Sequence, residues 1–328
     1  MSALLEVENL TVEFPLQSRR GMLRAVDDAS FSVARASTLG IVGESGCGKS
    51  TLGFTVMMLQ RPSAGRVMFE GVDLAQLGAR ALRRARARIQ IVFQDAAASL
   101  DPRMPVGAAL NEALDIHGLS KGRARSARID ELLDVVGLPP AFAGRYPHQL
   151  SGGQAQRVAI CRALAVGPEL IVCDEPVSAL DVSIQAQIVN LLQDLQHRLG
   201  LTYLFISHDL SIMRHISEQV AVMYLGRIVE MATKVELYAR PMHPYTQALL
   251  SAVPVPDPAL ERTRRRTILS GDLPDPANPP SGCVFRTRCP LAIPPCAEAV
   301  PTRTQISPSH WASCIRIGET KTIEEALP

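Results

Sequence analysis

The 328-residue chain has no run approaching the about eighteen uninterrupted apolar residues of a membrane span. Its opening, MSALLEVENLTVEF, lacks the basic segment and long apolar stretch of a secretory signal. Neither a membrane-spanning nor a secreted protein is expected from this, and the expectation is a cytosolic chain. Excess charge is missing too. Lys and Arg number 34 against 32 Asp and Glu, a formal +2, which removes the bulk electrostatic case for nucleic-acid binding and leaves only local basic patches. No internal repeat is found, so each motif occurs once. The seven cysteines include no close C-x-x-C pair, and in a reducing compartment they read as thiols or metal ligands rather than disulfides.

What is present starts with length enough for one large domain and something smaller. Leu4 to Phe14 and Ala29 to Val33 have the short apolar runs of strands and read as an antiparallel flap. Thr38 to Val42 reads as a buried strand running into glycines, and Ser50 to Leu59 as the helix that follows. Helical spacing from about Val106 to Gly137 predicts an inserted helical subdomain, placed at about 96–165. Strands then resume at Leu170–Cys173 and Leu204–Ile206 with an amphipathic helix over Gln185–Leu199 between them, an alternation that implies a mostly parallel sheet. Twelve of the 24 prolines fall between Pro254 and Pro308, where no regular element of any length is expected. A domain boundary is placed near Ala252, dividing the chain into 1–252 and 253–328.

The chemistry-bearing residues lie on these elements. Gly43-Glu44-Ser45-Gly46-Cys47-Gly48-Lys49-Ser50 fits G-x-x-x-x-G-K-[ST]. Its backbone N–H groups wrap phosphates, Lys49 pairs with the β and γ oxygens, and Ser50, followed by Thr51 in the helix, holds magnesium. Asp174 and Glu175 end a buried strand, where open sheets bind ligands. Asp174 suits a magnesium contact and Glu175 polarisation of the attacking water, against the plainer reading of a helix cap or an ion pair. Gln94 ends the run Ile89 to Phe93, from which its amide would reach magnesium or that water. His208 ends another core strand, within reach of a γ-phosphate. Taken singly, Gln94 is a surface glutamine and His208 a structural histidine. Leu150-Ser151-Gly152-Gly153-Gln154 opens a helix expected over Gln154–Ala165 and offers bare N–H groups to an anion. One ATP does not need two such cradles from one chain, so the simplest reconciliation is a dimer in which each chain's Ser151 closes over the other's nucleotide.

In this order (Gly43–Ser50, Gln94, Leu150–Gln154, Asp174 and Glu175, Ser178-Ala179-Leu180-Asp181, His208) the motifs closely resemble the ATP-binding cassette of ABC transporters, over roughly residues 4 to 252. The resemblance implies an α/β P-loop NTPase cassette with an antiparallel β subdomain and an inserted helical subdomain. It also implies ATP and Mg2+ as ligands and a head-to-tail dimer in which Ser151, Gly153 and Gln154 complete the partner's ATP site. Asp181 is implied to connect the two sites, and Phe14 to stack on adenine, beside its reading as a strand-core phenylalanine. Phe93-Gln94-Asp95, Ala98 to Met104, Tyr146-Pro147-His148-Gln149 and His243-Pro244-Tyr245-Thr246 are similar to the dipeptide, oligopeptide and nickel importer branch. That branch would carry an aromatic near Ala97 and asparagine at Asp101. The implied role is an ATPase subunit at the cytoplasmic face of the cell membrane. Its implied partners are a second ATPase subunit, by the habit of this branch a paralogue, two membrane permease subunits and an extracytoplasmic solute-binding protein, with no nucleic acid. An importer of nickel or another small solute, and an ABC ATPase outside transport, are the alternatives.

Cys283, Cys289, Cys296 and Cys314 all lie in the proline-rich C-terminal extension. Four converging thiolates suggest an iron-sulfur cluster, which needs no fixed spacing, with zinc or unliganded thiols as alternatives. The segment also resembles the C-terminal extension of peptide-importer ATPases, some of which carry a [4Fe-4S] cluster. Its purpose would be structural, since a segment poor in regular structure buries too little to order itself. Cys161 and Cys173 read as core residues. Arg80, Arg83, Arg84, Arg86 and Arg88 read as a solvated helix face, with anionic lipid headgroups as the target if the face is functional.

Overall fold

A computed structural model describes residues 3–16, 21–119, 123–254, 257, 269 and 271–317. The chain packs as two units, each assembled from separate stretches of sequence. One comprises residues 1–4, 33–38 and 69–206, the other 5–32, 39–68 and 207–328.

The first unit is built on parallel strands in the order Thr202–Ser207, Leu170–Asp174, Ile89–Val92. Leu170 lies opposite Ile89 on one side and Thr202 on the other, and Asp174 is level with Ile206. Every residue of Leu170–Asp174 and Thr202–Ser207 is buried, the signature of parallel strands covered on both faces, which explains their continuous apolar runs. The helix Val182–Leu199 turns Ile188, Val189, Leu192 and Leu195 into the core. Its one buried amide, Gln196, donates to the Thr38 hydroxyl at 3.0 Å.

The expected helical segment is present as Val106–Ile116, Arg123–Val135 and Gly152–Leu164. Leu110, Leu114, Leu132, Leu133, Phe142 and Val158 form its buried interior. Arg157 and Arg162 of the last helix donate to the Val136 and Ser99 carbonyls at 2.6 Å each. The arginine-rich helix Ala79–Arg88 buries none of its residues, as the solvated-face reading expects. Arg83 donates to the Ile116 carbonyl at 2.7 Å, and Arg88 pairs with Glu70 and Glu169, which Arg35 also engages.

The second unit holds strands in the order Thr304–Ser307, His310–Ala312, Arg227–Thr233, Gln219–Tyr224, Thr38–Val42. The pairings are antiparallel up to Gln219–Tyr224, and the last is parallel, Leu39 facing Gln219 and Val42 facing Val222. The strands Met22–Ala34, Ala3–Pro15 and Ala64–Phe69 lie side by side in a separate sheet. The proline-rich extension holds only a 3-10 turn, Pro294–Ala297, and the two short strands at its end, among the described residues. Sequence reading did not anticipate that one of these, His310–Ala312, pairs with Arg227–Thr233. No helix among the described residues is long and apolar enough to cross a membrane.

Candidate nucleotide site

The expected ATP-site residues divide between the two units. In the second unit the buried strand Thr38–Val42 runs into the glycine loop, which opens the helix Lys49–Val56. Strand, glycines and helix are the context a phosphate loop requires. The Lys49 side chain folds back under this loop. Its ammonium donates to the carbonyls of Gly43 at 2.8 Å and Glu44 at 2.9 Å, and the residue is only 4% exposed. A buried ammonium needs such acceptors, and polyphosphate oxygens are acceptors of the same kind with full charge.

Cys47 is buried in the loop, and burial pushes its thiol up, so it fills space rather than reacting. Its carbonyl accepts from the Gly226 N–H at 2.8 Å, tying the loop to the turn after Gln219–Tyr224. Ser50 and Thr51 lie half-buried in the first turn of the helix, Phe14 is half-buried near the end of Ala3–Pro15, and His208 is exposed just past Thr202–Ser207. Asp209 beside it caps the next helix, Leu210–Ile216, accepting from the Ser211 N–H at 2.7 Å.

The first unit carries the carboxylates. Asp174 is the buried last residue of its strand. Glu175 has φ +46 and its N–H donates to the Ile206 carbonyl at 3.0 Å, so the ladder continues one residue past the strand before the chain turns away. A left-handed non-glycine costs on the order of 1–2 kcal/mol, and such strain collects at functional positions. Gln94 is exposed, two residues beyond Ile89–Val92. Ser151 caps Gly152–Leu164, two residues earlier than the expected helix start. Its hydroxyl accepts from the Gln154 N–H at 3.4 Å, while its own N–H donates to the Gln154 side chain at 3.0 Å. The N–H groups of Gly152 and Gly153 thus open the helix, where anions bind. Asp181 is exposed at the start of Val182–Leu199 and makes no side-chain cap.

The four extension cysteines are free thiols that line one cavity with Phe285, Leu291 and Arg316. Burial, with some help from the neighbouring sulfurs, pushes the Cys314 thiol up to about 11, and burial raises Cys283 and Cys289 as well. The donor set is that of a metal centre. At about 10 Å³ the cavity holds roughly one water. No group of three or more His, Cys, Asp or Glu side chains among the described residues is arranged to hold a metal ion. The expected iron-sulfur cluster, like its zinc alternative, thus has no support from the arrangement of the described residues.

Three features around the phosphate loop escaped sequence reasoning. The Glu44 carboxylate takes two hydrogen bonds from Arg288 of the extension, and the Glu44 N–H donates to the Tyr245 hydroxyl. Glu230, fully buried, accepts from the N–H groups of Met242 and His243 and faces His310 Nε2 at 2.7 Å. His243 in turn caps Pro244–Ala252, its Nδ1 accepting from the Tyr245 N–H at 3.1 Å, and burial pushes it down to about 4 against the pull of Glu230. The available signals were His243-Pro244-Tyr245-Thr246, read only as a branch marker, and the arginine directly before Cys289.

Residues 26–178 match the family model of ABC transporters, and residues 229–296 match that of the oligopeptide/dipeptide transporter C-terminal region. A putative peptide import ATP-binding protein of Brucella ovis is 55% identical over 313 residues, covering 95% of this chain and 98% of the relative. The oligopeptide transport ATP-binding protein AppF of Bacillus subtilis is 52% identical over 317 residues, covering 95% and 96%. Among solved structures, a dimeric ATP-binding cassette in a post-hydrolysis state, bound to ADP and Pi, superposes with a TM-score of 0.64 at 29% identity, over 70% of this chain and 98% of its own. A glycine loop closed over a buried lysine, a strained glutamate one residue past a buried strand and these relatives agree, and the chain belongs to the ATP-hydrolysing, ATP-binding subunits of ABC transporters.

Proposed function

We propose that this chain energises a peptide importer from the cytoplasmic face of the cell membrane, hydrolysing ATP to drive two separate permease subunits fed by an extracytoplasmic solute-binding protein. The observation that carries this reading is the Gly43–Ser50 loop gathered around the buried Lys49 ammonium. The peptide class is supported by the similarity to the oligopeptide/dipeptide transporter C-terminal region and to peptide-import relatives. Residues 1–252 are read as the cassette and 253–328 as its extension.

In the proposed mechanism the N–H groups from Gly43 to Ser50 take the β and γ phosphates, and Lys49 exchanges its two loop carbonyls for phosphate oxygens. The Ser50 hydroxyl, the Asp174 carboxylate and the Gln94 amide are hard oxygen donors that suit Mg2+, whose chemistry is to neutralise charge on the phosphates. Glu175 orients and polarises the attacking water, His208 contacts the γ-phosphate and Phe14 stacks on adenine. Ser151, Gly153 and Gln154 complete the ATP site of a second ATPase subunit, read as a paralogue, and Asp181 links the two sites. Coupling to the permeases runs from Gln94 through the helical segment, with ATP favouring the closed pair.

A metal held by Cys283, Cys289, Cys296 and Cys314 is proposed on their donor chemistry alone. It would brace the extension, and it requires the four sulfurs to draw into a shell that they do not form as they lie. One preparation tests both readings. Pulled from membranes without oxygen, the tagged chain is expected to bring two membrane subunits with it and to contain iron with sulfide. A wholly soluble ATPase without membrane partners contradicts the transport role. Zinc, or neither metal, contradicts the cluster.

A further inference from the structure

Glu44, the first variable residue of the phosphate loop, is gripped at three points. Its carbonyl accepts from Lys49, its N–H donates to the Tyr245 hydroxyl at 2.9 Å, and its carboxylate accepts from both terminal nitrogens of Arg288, at 2.7 and 3.2 Å. Side-chain exposure is 10% for Arg288 and 28% for Glu44, so water screens this pair less than it does a surface pair. The bond from Glu44, with Tyr224 adding to it, raises the guanidinium above its ordinary value.

The extension is built to deliver this arginine. Gly282 sits at φ +65, and a Cβ there would lie 2.4 Å from the Cys296 carbonyl, which itself accepts from the Cys283 N–H at 2.8 Å. Successive turns follow, with Arg286 N–H donating to Cys283 and Arg288 N–H to Phe285, each at 3.0 Å. Phe285 anchors the turns, being 1% exposed and packed edge-on against Tyr224 at 5.2 Å and tilted against Tyr245 at 5.4 Å. Tyr245 is the residue that holds the Glu44 backbone, so one aromatic cluster fixes both grips on the loop.

We propose that Arg288 is a positioning residue for ATP, through which the C-terminal extension holds the phosphate loop in its receiving shape. Once Lys49 turns to the phosphates, Arg288 and Tyr245 are the side-chain grips that remain on Glu44, beside the 3.3 Å bond from the Cys47 N–H to its carbonyl, and Arg288 also offsets a carboxylate one residue inside an anion-binding loop. The proposal rests on reading Gly43–Ser50 as the phosphate loop.

The test uses the full chain carrying Arg288→Ala, Arg288→Lys, Glu44→Ala or Glu44→Ala with Arg288→Ala. Each is titrated with a fluorescent ATP analogue in magnesium, assayed for KM and kcat, and unfolded in urea. Arg288→Ala is expected to weaken nucleotide binding about tenfold, the effect falling on Kd and KM more than on kcat, as expected for loss of one charged, two-pronged contact. Arg288→Lys, which keeps the charge but not the fork, is expected to fall between. The double variant is expected to be no weaker than Glu44→Ala alone, because the arginine acts through that carboxylate. Unchanged affinity in a folded Arg288→Ala overturns the proposal. So do multiplicative losses in the double variant. If Arg288→Ala does not fold, unchanged affinity in Arg288→Lys overturns it equally. Failure of the wild-type chain to bind ATP would instead strike the phosphate-loop reading itself.

Discussion

Gly48 has less latitude than any side chain in the phosphate loop. Its φ of +105 is closed to other residues, and a Cβ there would stand 1.9 Å from the Ala25 carbonyl oxygen, which is backbone and cannot swing aside. Gly48→Ala is therefore expected to displace the loop together with the strand behind it. Urea unfolding should show a loss of about 2 kcal/mol or more, and ATP affinity should fall with it. An alanine variant with wild-type stability and affinity would show that the loop has slack that these distances deny. Glu175 makes the opposite case, for it accepts left-handed strain that a glycine would relieve, and so keeps a carboxylate one residue past the strand end.

At the scale of elements, the helix Pro244–Ala252 shows a pH dependence built into its cap. His243 Nδ1 must be unprotonated to accept from the Tyr245 N–H, and burial depresses the residue to about 4 from 6.5, with Glu230 opposing. The unfolded chain then binds the extra proton first. Stability is fully present above about pH 6.5 and is lost as the pH falls toward 4. Between pH 7 and 5 the loss comes to about 2 kcal/mol for this group. Melting curves at the two pH values should show the wild-type chain dropping more than His243→Asn, whose amide oxygen keeps the cap without titrating. An equal drop in both would remove His243 as the cause.

The same scale shows what could be read from sequence. Thr38–Val42 into glycines into Lys49–Val56, and Leu170–Asp174 ending on carboxylates, are local patterns, and the periodicities that betray them span a dozen residues. Ser151 and Gln154 form a capping box, so the helix start near the signature was legible to within two residues. Arg288 with Glu44, 244 residues apart, and Glu230 with His310, 80 apart, leave no such trace. Either arginine or glutamate is an ordinary surface residue until the fold buries it beside its partner. The cysteines were half legible. Their convergence on one cavity follows from the turns at Gly282 and Pro294–Ala297, but how closely they converge is set by packing that spacing does not encode.

At the scale of the whole molecule, the machinery is split. The unit with residues 39–68 and 207–328 holds the phosphate loop, its lysine and the extension that grips it, whereas the unit with residues 69–206 holds Asp174, Glu175 and the Ser151 helix. On the proposed roles, deleting the Glu175 carboxylate should separate nucleotide binding at the Gly43–Ser50 loop from turnover. The decisive measurement is magnesium-dependent ATP turnover by Glu175→Gln, with nucleotide binding followed in the same sample. A water-polarising base contributes on the order of a hundredfold or more. Turnover should fall by at least about that factor while ATP remains bound and holds the chain in a stable dimer with the second ATPase subunit. Undiminished turnover would contradict the role of Glu175 and, with it, the central claim that this chain hydrolyses ATP at that strand end.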